Sequence, residues 1–150
     1  MKEKVYRVFD SNCHPTVSGS WLNKKHNNSF LNLNESLESN KLEGALAVGL
    51  ADIDNYTHKS YLENCLKYSQ VIPIAGVNPL IDNRYKNYVD LKTAGFTGVK
   101  FHPRFSNFSL IENKEILLNI INACGDIGLV VLFCTYFYHR GELIINNLVF

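Results

Sequence analysis

A chain of 150 residues that is 46% hydrophobic and 19% charged has the balance of a single folded domain, not of a disordered segment. Its formal net charge is +1, with the basic residues scattered, so nothing in its electrostatics favours nucleic acid or an anionic membrane as partner. No run approaches the roughly 18 apolar residues of a spanning helix, and the basic N-terminus lacks the apolar stretch of a signal peptide.

The first apolar run predicts a strand over 4–10. It leads into Asp10-Ser11-Asn12-Cys13-His14-Pro15. Strand side chains alternate between faces, so Asp10, Asn12 and His14 are expected to project together, with Asp10 one pleat deeper and held by a structural hydrogen bond. Residues 18–33, rich in Asn, Ser and Lys around Trp21 and His26, read as a long loop lying over the strand's carboxyl end as a lid or insertion. A weak helix over 32–40 precedes a second strand over 44–50, with Asp52 just beyond it. A helix over 57–68 places Tyr61, Leu62, Cys65 and Leu66 on one side, with Asn55 or Thr57 as its cap.

The third strand, 71–78, ends at Asn78, and a helix over 82–94 stops at Gly95. The fourth strand, 98–102, ends Lys100-Phe101-His102 before Pro103 and Arg104. A residue preceding proline is held extended, which keeps His102 in phase with Lys100. The strongest helical signal covers 112–125, where Ile116, Leu117, Ile120, Ile121 and Cys124 form one apolar stripe that Gly125 or Gly128 can end. A fifth strand over 129–134 ends in Cys134, and 142–150 reads as the apolar start of a sixth unit.

Strands alternating with helices imply an α/β fold with a parallel sheet. About five βα units are too few for a closed (β/α)8 barrel, which takes roughly 250 residues. The expectation is therefore a single domain over 1–150 that is either an open sheet or the front part of an incomplete TIM barrel, truncated at its C-terminus. Open sheet edges would favour a homo-oligomer or a completing chain.

The five strand ends offer Asn12 and His14, then Asp52, Asn78, Lys100 with His102, and Cys134. In a curled sheet these tips converge on one cavity, where α/β folds place their chemistry. His14 suits a metal ligand or general base, and His102 a base or ligand. Lys100 suits an ammonium that holds an anionic substrate, or a base of lowered pKa. Arg104 can bind a carboxylate in bidentate fashion. Asn78 is a candidate substrate contact, and Cys134 a thiol or soft ligand. His26, His58 and His139 lack partners at readable spacing and are expected at the surface. The four cysteines have no CxxC spacing, and Cys65 and Cys124 fall on apolar helix faces. They read as reduced thiols of a cytoplasmic protein.

With those residues placed, the sequence resembles the amidohydrolase superfamily, specifically its metal-dependent amidohydrolase-related group of TIM-barrel hydrolases and nonoxidative decarboxylases. Phe9 to Pro15 is similar to that family's first-strand motif of Asp, a residue, His, any residue, His, Pro. Val71 to Pro79 is similar to its third strand, Gly95 to Phe105 to its fourth, and Gly128 to Thr135 to its fifth. The resemblance implies a hydrolase or decarboxylase acting on a small carboxylated or cyclic substrate through a metal- or His-activated water. His14, Lys100 and His102 would be catalytic, and Arg104 and Asn78 would bind substrate. A divalent metal, zinc, would be held by His14, Asn12 and Cys134. Two departures stand out, since the family has metal-binding histidines where this chain has Asn12 and Cys134. The family's sixth-strand histidine and eighth-strand aspartate would fall beyond Phe150. The alternative expectation is a degenerate barrel without metal or catalysis, acting as a binding or oligomerising module or persisting as a non-functional fragment.

Overall fold

The computed structural model describes residues 8–21, 26–134, 137–139 and 142–144. In chain order the elements are β1 (Phe9–Cys13), α1 (Phe30–Ser39), β2 (Gly44–Val48), α2 (His58–Cys65), β3 (Val71–Val77), α3 (Tyr85–Ala94), β4 (Gly98–Phe101), α4 (Lys114–Ile127), β5 (Val130–Phe133), β6 (Phe137–His139) and β7 (Glu142–Ile144). The first five strands form one parallel sheet in the order β1-β2-β3-β4-β5. That order never reverses. Right-handed crossovers repeated in one direction put every helix on the same face. The sheet therefore curls into part of a barrel, with its other face concave.

Parallel partners project to the same side, so the register sorts the two faces. Ala45, Ala47, Val71, Ala75, Val77, Val99 and Phe101 face outward and pack with Leu37, Tyr61, Cys65, Tyr88, Leu91, Leu117, Ile120 and Cys124 of the helices. This is the main apolar core, and it holds Cys65 and Cys124 as free, buried thiols. The alternate residues, Val48, Ile74, Gly98, Lys100 and Leu132, line the concave face.

Local chemistry explains the helix ends. Ser29 and Thr57 cap α1 and α2 by accepting from Asn32 N and Ser60 N. Gly95 and Gly128 close α3 and α4 in the left-handed region, at φ 117° and 69°. No described helix is long and apolar enough to cross a membrane.

Three expectations change. The first strand is Phe9–Cys13 and runs past Asp10, while 4–7 lie outside the described residues. The long loop ends early because Phe30, only 4% exposed, packs edge-on against Tyr61 with ring centroids 5.1 Å apart and starts α1 there. The expected sixth unit is, where described, an antiparallel pairing of β6 with β7. Parallel strands need a crossover of about a dozen residues, far more than separates His139 from Glu142.

The Tyr61 hydroxyl is buried with no hydrogen-bond partner among the described residues. Tyr61→Phe removes that unpaired group and keeps the ring. It should leave stability unchanged or raise it by up to about 1 kcal/mol, read as the urea midpoint. A loss above about 1 kcal/mol would mean the hydroxyl has a partner after all.

Candidate active site at the carboxyl ends of the strands

β1 carries a bulge. Asp10 pairs with Ala45 and Cys13 with Ala47, so three steps along β1 match two along β2. The extra residue shifts the phase and takes Asp10 out of the expected alignment with His14. Asp10 instead shares a face with Cys13. Burial, then the hydrogen bond to Asp10, pushes the Cys13 thiol up to about 12, so it stays protonated. Asn12 is exposed, and its backbone N–H donates to Asp10 Oδ1 at 3.1 Å. Asp10 thus makes the structural bond expected of it.

Past the bulge, His14 turns to the concave side, where its Nδ1 lies 2.9 Å from the Val48 carbonyl. A carbonyl only accepts, so Nδ1 carries the proton and Nε2 is left with a free lone pair. Trp21 stacks on the ring at 5.9 Å and 20°. The loop carrying Trp21 is folded back by Thr16 N–H donating to Asn28 O at 2.8 Å and by the Asn28 side-chain amide donating to His14 O. Burial, and more weakly the Lys100 charge, hold His14 below its ordinary pKa of 6.5. It is therefore a neutral base at pH 7.

Lys100 lies between Gly76 and Leu132 in the sheet and is 7% exposed. Burial lowers its pKa, with Cys134 opposing. Among the described residues no carboxylate pairs with it. His102 follows, its ring stacked on Phe105 at 4.1 Å. Burial first, then the charge of Lys100, then His14, lower His102 to about 4. The backbone N–H of Phe105 donates to His102 Nδ1 at 3.4 Å. The same N–H also donates to His102 O at 3.1 Å. Reading the ring contact as accepted at Nδ1 assigns the proton to Nε2, the opposite tautomer from His14. Arg104 is exposed at the rim, 6.0 Å from the Phe105 ring.

The structure thus gathers His14, Lys100, His102, Arg104 and Cys134 into one electrostatic group. Cys134 sits one step beyond β5, its N–H donating to Phe101 O at 3.0 Å. Asn78 follows Val77, the register partner of Phe101, at the same edge of the sheet. Its Nδ2 donates to Asp52 Oδ2 at 3.1 Å and its Oδ1 accepts from Leu80 N at 3.1 Å, in a cleft shared with Asp82.

His58 was expected at the surface and is half-buried instead. Its Nε2 donates to Gly76 O at 2.9 Å, and Tyr56 Oη accepts from Gly76 N at 3.0 Å. Together they clamp both backbone groups of the residue beside Lys100. Nothing in the spacing of Tyr56, His58 and Gly76 announces this contact. His26 is exposed as expected, and the His139 side chain lies outside the described residues.

A tetrahedral zinc centre needs at least three N, S or O ligands. His14 has the form of one, its Nδ1 anchored on a carbonyl and its Nε2 without a partner among the described residues. Asn12, however, is exposed, and among the described residues no three His, Cys, Asp or Glu side chains are grouped to hold a metal ion. The donors described do not fit the implied metal.

The two depressed histidines make stability depend on pH. Each ring binds its proton more weakly folded than unfolded, so acid favours the unfolded chain. Stability should be level above about pH 7 and fall as the pH drops through the unfolded value of 6.5 towards the folded value of about 4 for His102. We expect His102 to account for about 2 kcal/mol of that loss, discounted for its partial exposure. Urea midpoints at pH 7, 5.5 and 4.5 for the native chain and His102→Gln check this. The variant should lose less between pH 7 and 4.5.

No family model and no curated protein sequence matches the chain. Among solved structures it is similar to a probable 2-pyrone-4,6-dicarboxylic acid hydrolase from Acinetobacter baumannii with citric acid bound. The TM-score is 0.58 at 15% identity, over 85% of this chain and 49% of that one. At that identity the likeness is one of fold, and the chain spans about half the length of the protein it matches. The partial TIM-barrel architecture stands on the strand order and on this match together.

Proposed function

We propose that the chain carries the site of an amidohydrolase-like hydrolase acting on a small carboxylated, cyclic ester or amide. The observation that carries this reading is the pair of imidazoles with lowered pKa beside a buried lysine, to which we assign opposite tautomers. His14 Nε2, with its lone pair free, takes the proton from a water. His102 Nε2–H donates to the carbonyl oxygen under attack. The Lys100 ammonium, with no carboxylate partner among the described residues, stabilises the negative charge that develops there. Arg104 at the rim holds the substrate carboxylate. The carboxylated, cyclic substrate class agrees with the pyrone dicarboxylic acid in the name of the similar structure and with the citric acid bound to it. The four free thiols agree with a cytoplasmic setting.

The test is acid release by the purified chain from a panel of small carboxylated lactones, esters and cyclic amides, followed by pH-stat. Turnover that Lys100→Met removes supports the reading. A folded chain that turns over none of them overturns it in favour of the degenerate barrel. Arg104 is exposed and outside the apolar core. Arg104→Ala should therefore raise KM about tenfold and leave kcat within about twofold, because it removes binding common to ground and transition states. A fall in kcat instead would place the guanidinium at the reacting bond.

A further inference from the structure

We propose that Lys100 is also a covalent site, forming an imine with the ketone or aldehyde carbonyl of a small oxo acid. This goes beyond the hydrolytic reading, in which the same side chain acts only through its charge.

A lysine becomes a nucleophile when it is desolvated and free of a carboxylate that would pin it as an ammonium. Lys100 is 7% exposed, and no carboxylate pairs with it among the described residues. Its neighbours in the sheet are Gly76 and Leu132, neither of which offers a polar side chain. It stands at the carboxyl end of a strand on the concave face, within electrostatic reach of His14 and His102. Arg104 beyond His102 supplies a charge for the oxo acid's carboxylate. The exposed lysines differ, as in Lys86, whose Nζ is bound to Asp90 Oδ2 at 2.6 Å.

The step balances without an outside oxidant or reductant. The amine lone pair of Nζ attacks the carbonyl carbon, and the C=O π pair moves to oxygen. The Lys100 ammonium, which first gave a proton to His14 Nε2 to become the amine, supplies through His14 the proton that this oxygen gains. His14 Nε2 then takes a second proton from the nitrogen to give the neutral carbinolamine. The nitrogen lone pair then forms C=N as the hydroxyl leaves with the proton returned from His14. One water is released for each imine formed.

The experiment is reductive trapping. The native chain is incubated at pH 7.5 with pyruvate, sodium borohydride is added, and tryptic peptides are mapped by mass. The expected result is a reduced adduct at Lys100 with occupancy at least tenfold above that at Lys86. Lys100→Arg keeps the cation and should lose that adduct, with labelling elsewhere unchanged. Labelling of Lys100 equal to or below that of Lys86 overturns the proposal. Trapping needs no hydrolytic turnover, so imine without hydrolysis, or hydrolysis without imine, separates the fate of this proposal from that of the hydrolase reading.

Discussion

His14→Gln is expected to lower kcat/KM for a small carboxylated ester or lactone by about 100- to 1,000-fold, the usual worth of a positioned general base. His102→Gln should cost only about tenfold. The contrast follows from the tautomers. His14 spends its Nδ1 proton on the Val48 carbonyl and so presents a lone pair at Nε2. A glutamine there has no basic atom with which to replace it. His102 accepts the Phe105 N–H at Nδ1 and presents a donor at Nε2, and a glutamine amide can also donate. Since both rings are held below 6.5, kcat/KM should rise with pH along a limb below that value and be level at neutrality. If His102→Gln proves the more damaging substitution, the assigned roles are reversed. Steady-state rates for both variants at pH 5, 6 and 7 decide it.

What could be read in advance depended on how local the cause was. The helix over 114–127 declares itself through Leu117, Ile120 and Cys124, each buried on one side, and through Gly128, the left-handed residue that ends it. Strands β2 to β4 are short apolar runs with helices before and after them, β5 follows α4, and this alternation implies the parallel order the sheet has. Lys100 keeps its expected face because β4 pairs regularly with β3 and β5 over 98–101. The same alternation failed in β1, where one inserted residue put Cys13, not Asn12, on the face of Asp10. A bulge leaves no mark in a stretch of mixed polarity such as Asp10-Ser11-Asn12. Two further features depend on the tertiary fold and not on spacing. One is the backbone acceptor at Val48 that sets the His14 tautomer, and the other is the clamp of His58 and Tyr56 on Gly76.

Gly76→Ala is expected to destabilise the fold by about 3 kcal/mol, the upper end of what overpacking a close-packed interior costs. A Cβ at this position would stand 2.5 Å from Ala51 N, 2.6 Å from Gly49 C and 2.7 Å from Gly49 O. All three are backbone atoms, so no side-chain rotation relieves the clash. The segment after β2 would have to lift away, straining the bond from Gly49 N to Ile74 O at 2.9 Å and the hold of Tyr56 and His58 on Gly76. Gly95→Ala is the control. Its φ of 117° also disfavours a side chain, but no described residue lies within 4 Å of its Cβ position. Only the backbone term applies there, about 1 kcal/mol. Urea unfolding of both variants should give equal m-values, with the larger midpoint shift in Gly76→Ala. Gly76 is the register partner of Lys100, so the same substitution should also reduce turnover more than Gly95→Ala does. A Gly76→Ala variant no less stable than Gly95→Ala would show that the segment over 49–51 can move away freely, and the close support it gives the sheet beside Lys100 would then have to be abandoned.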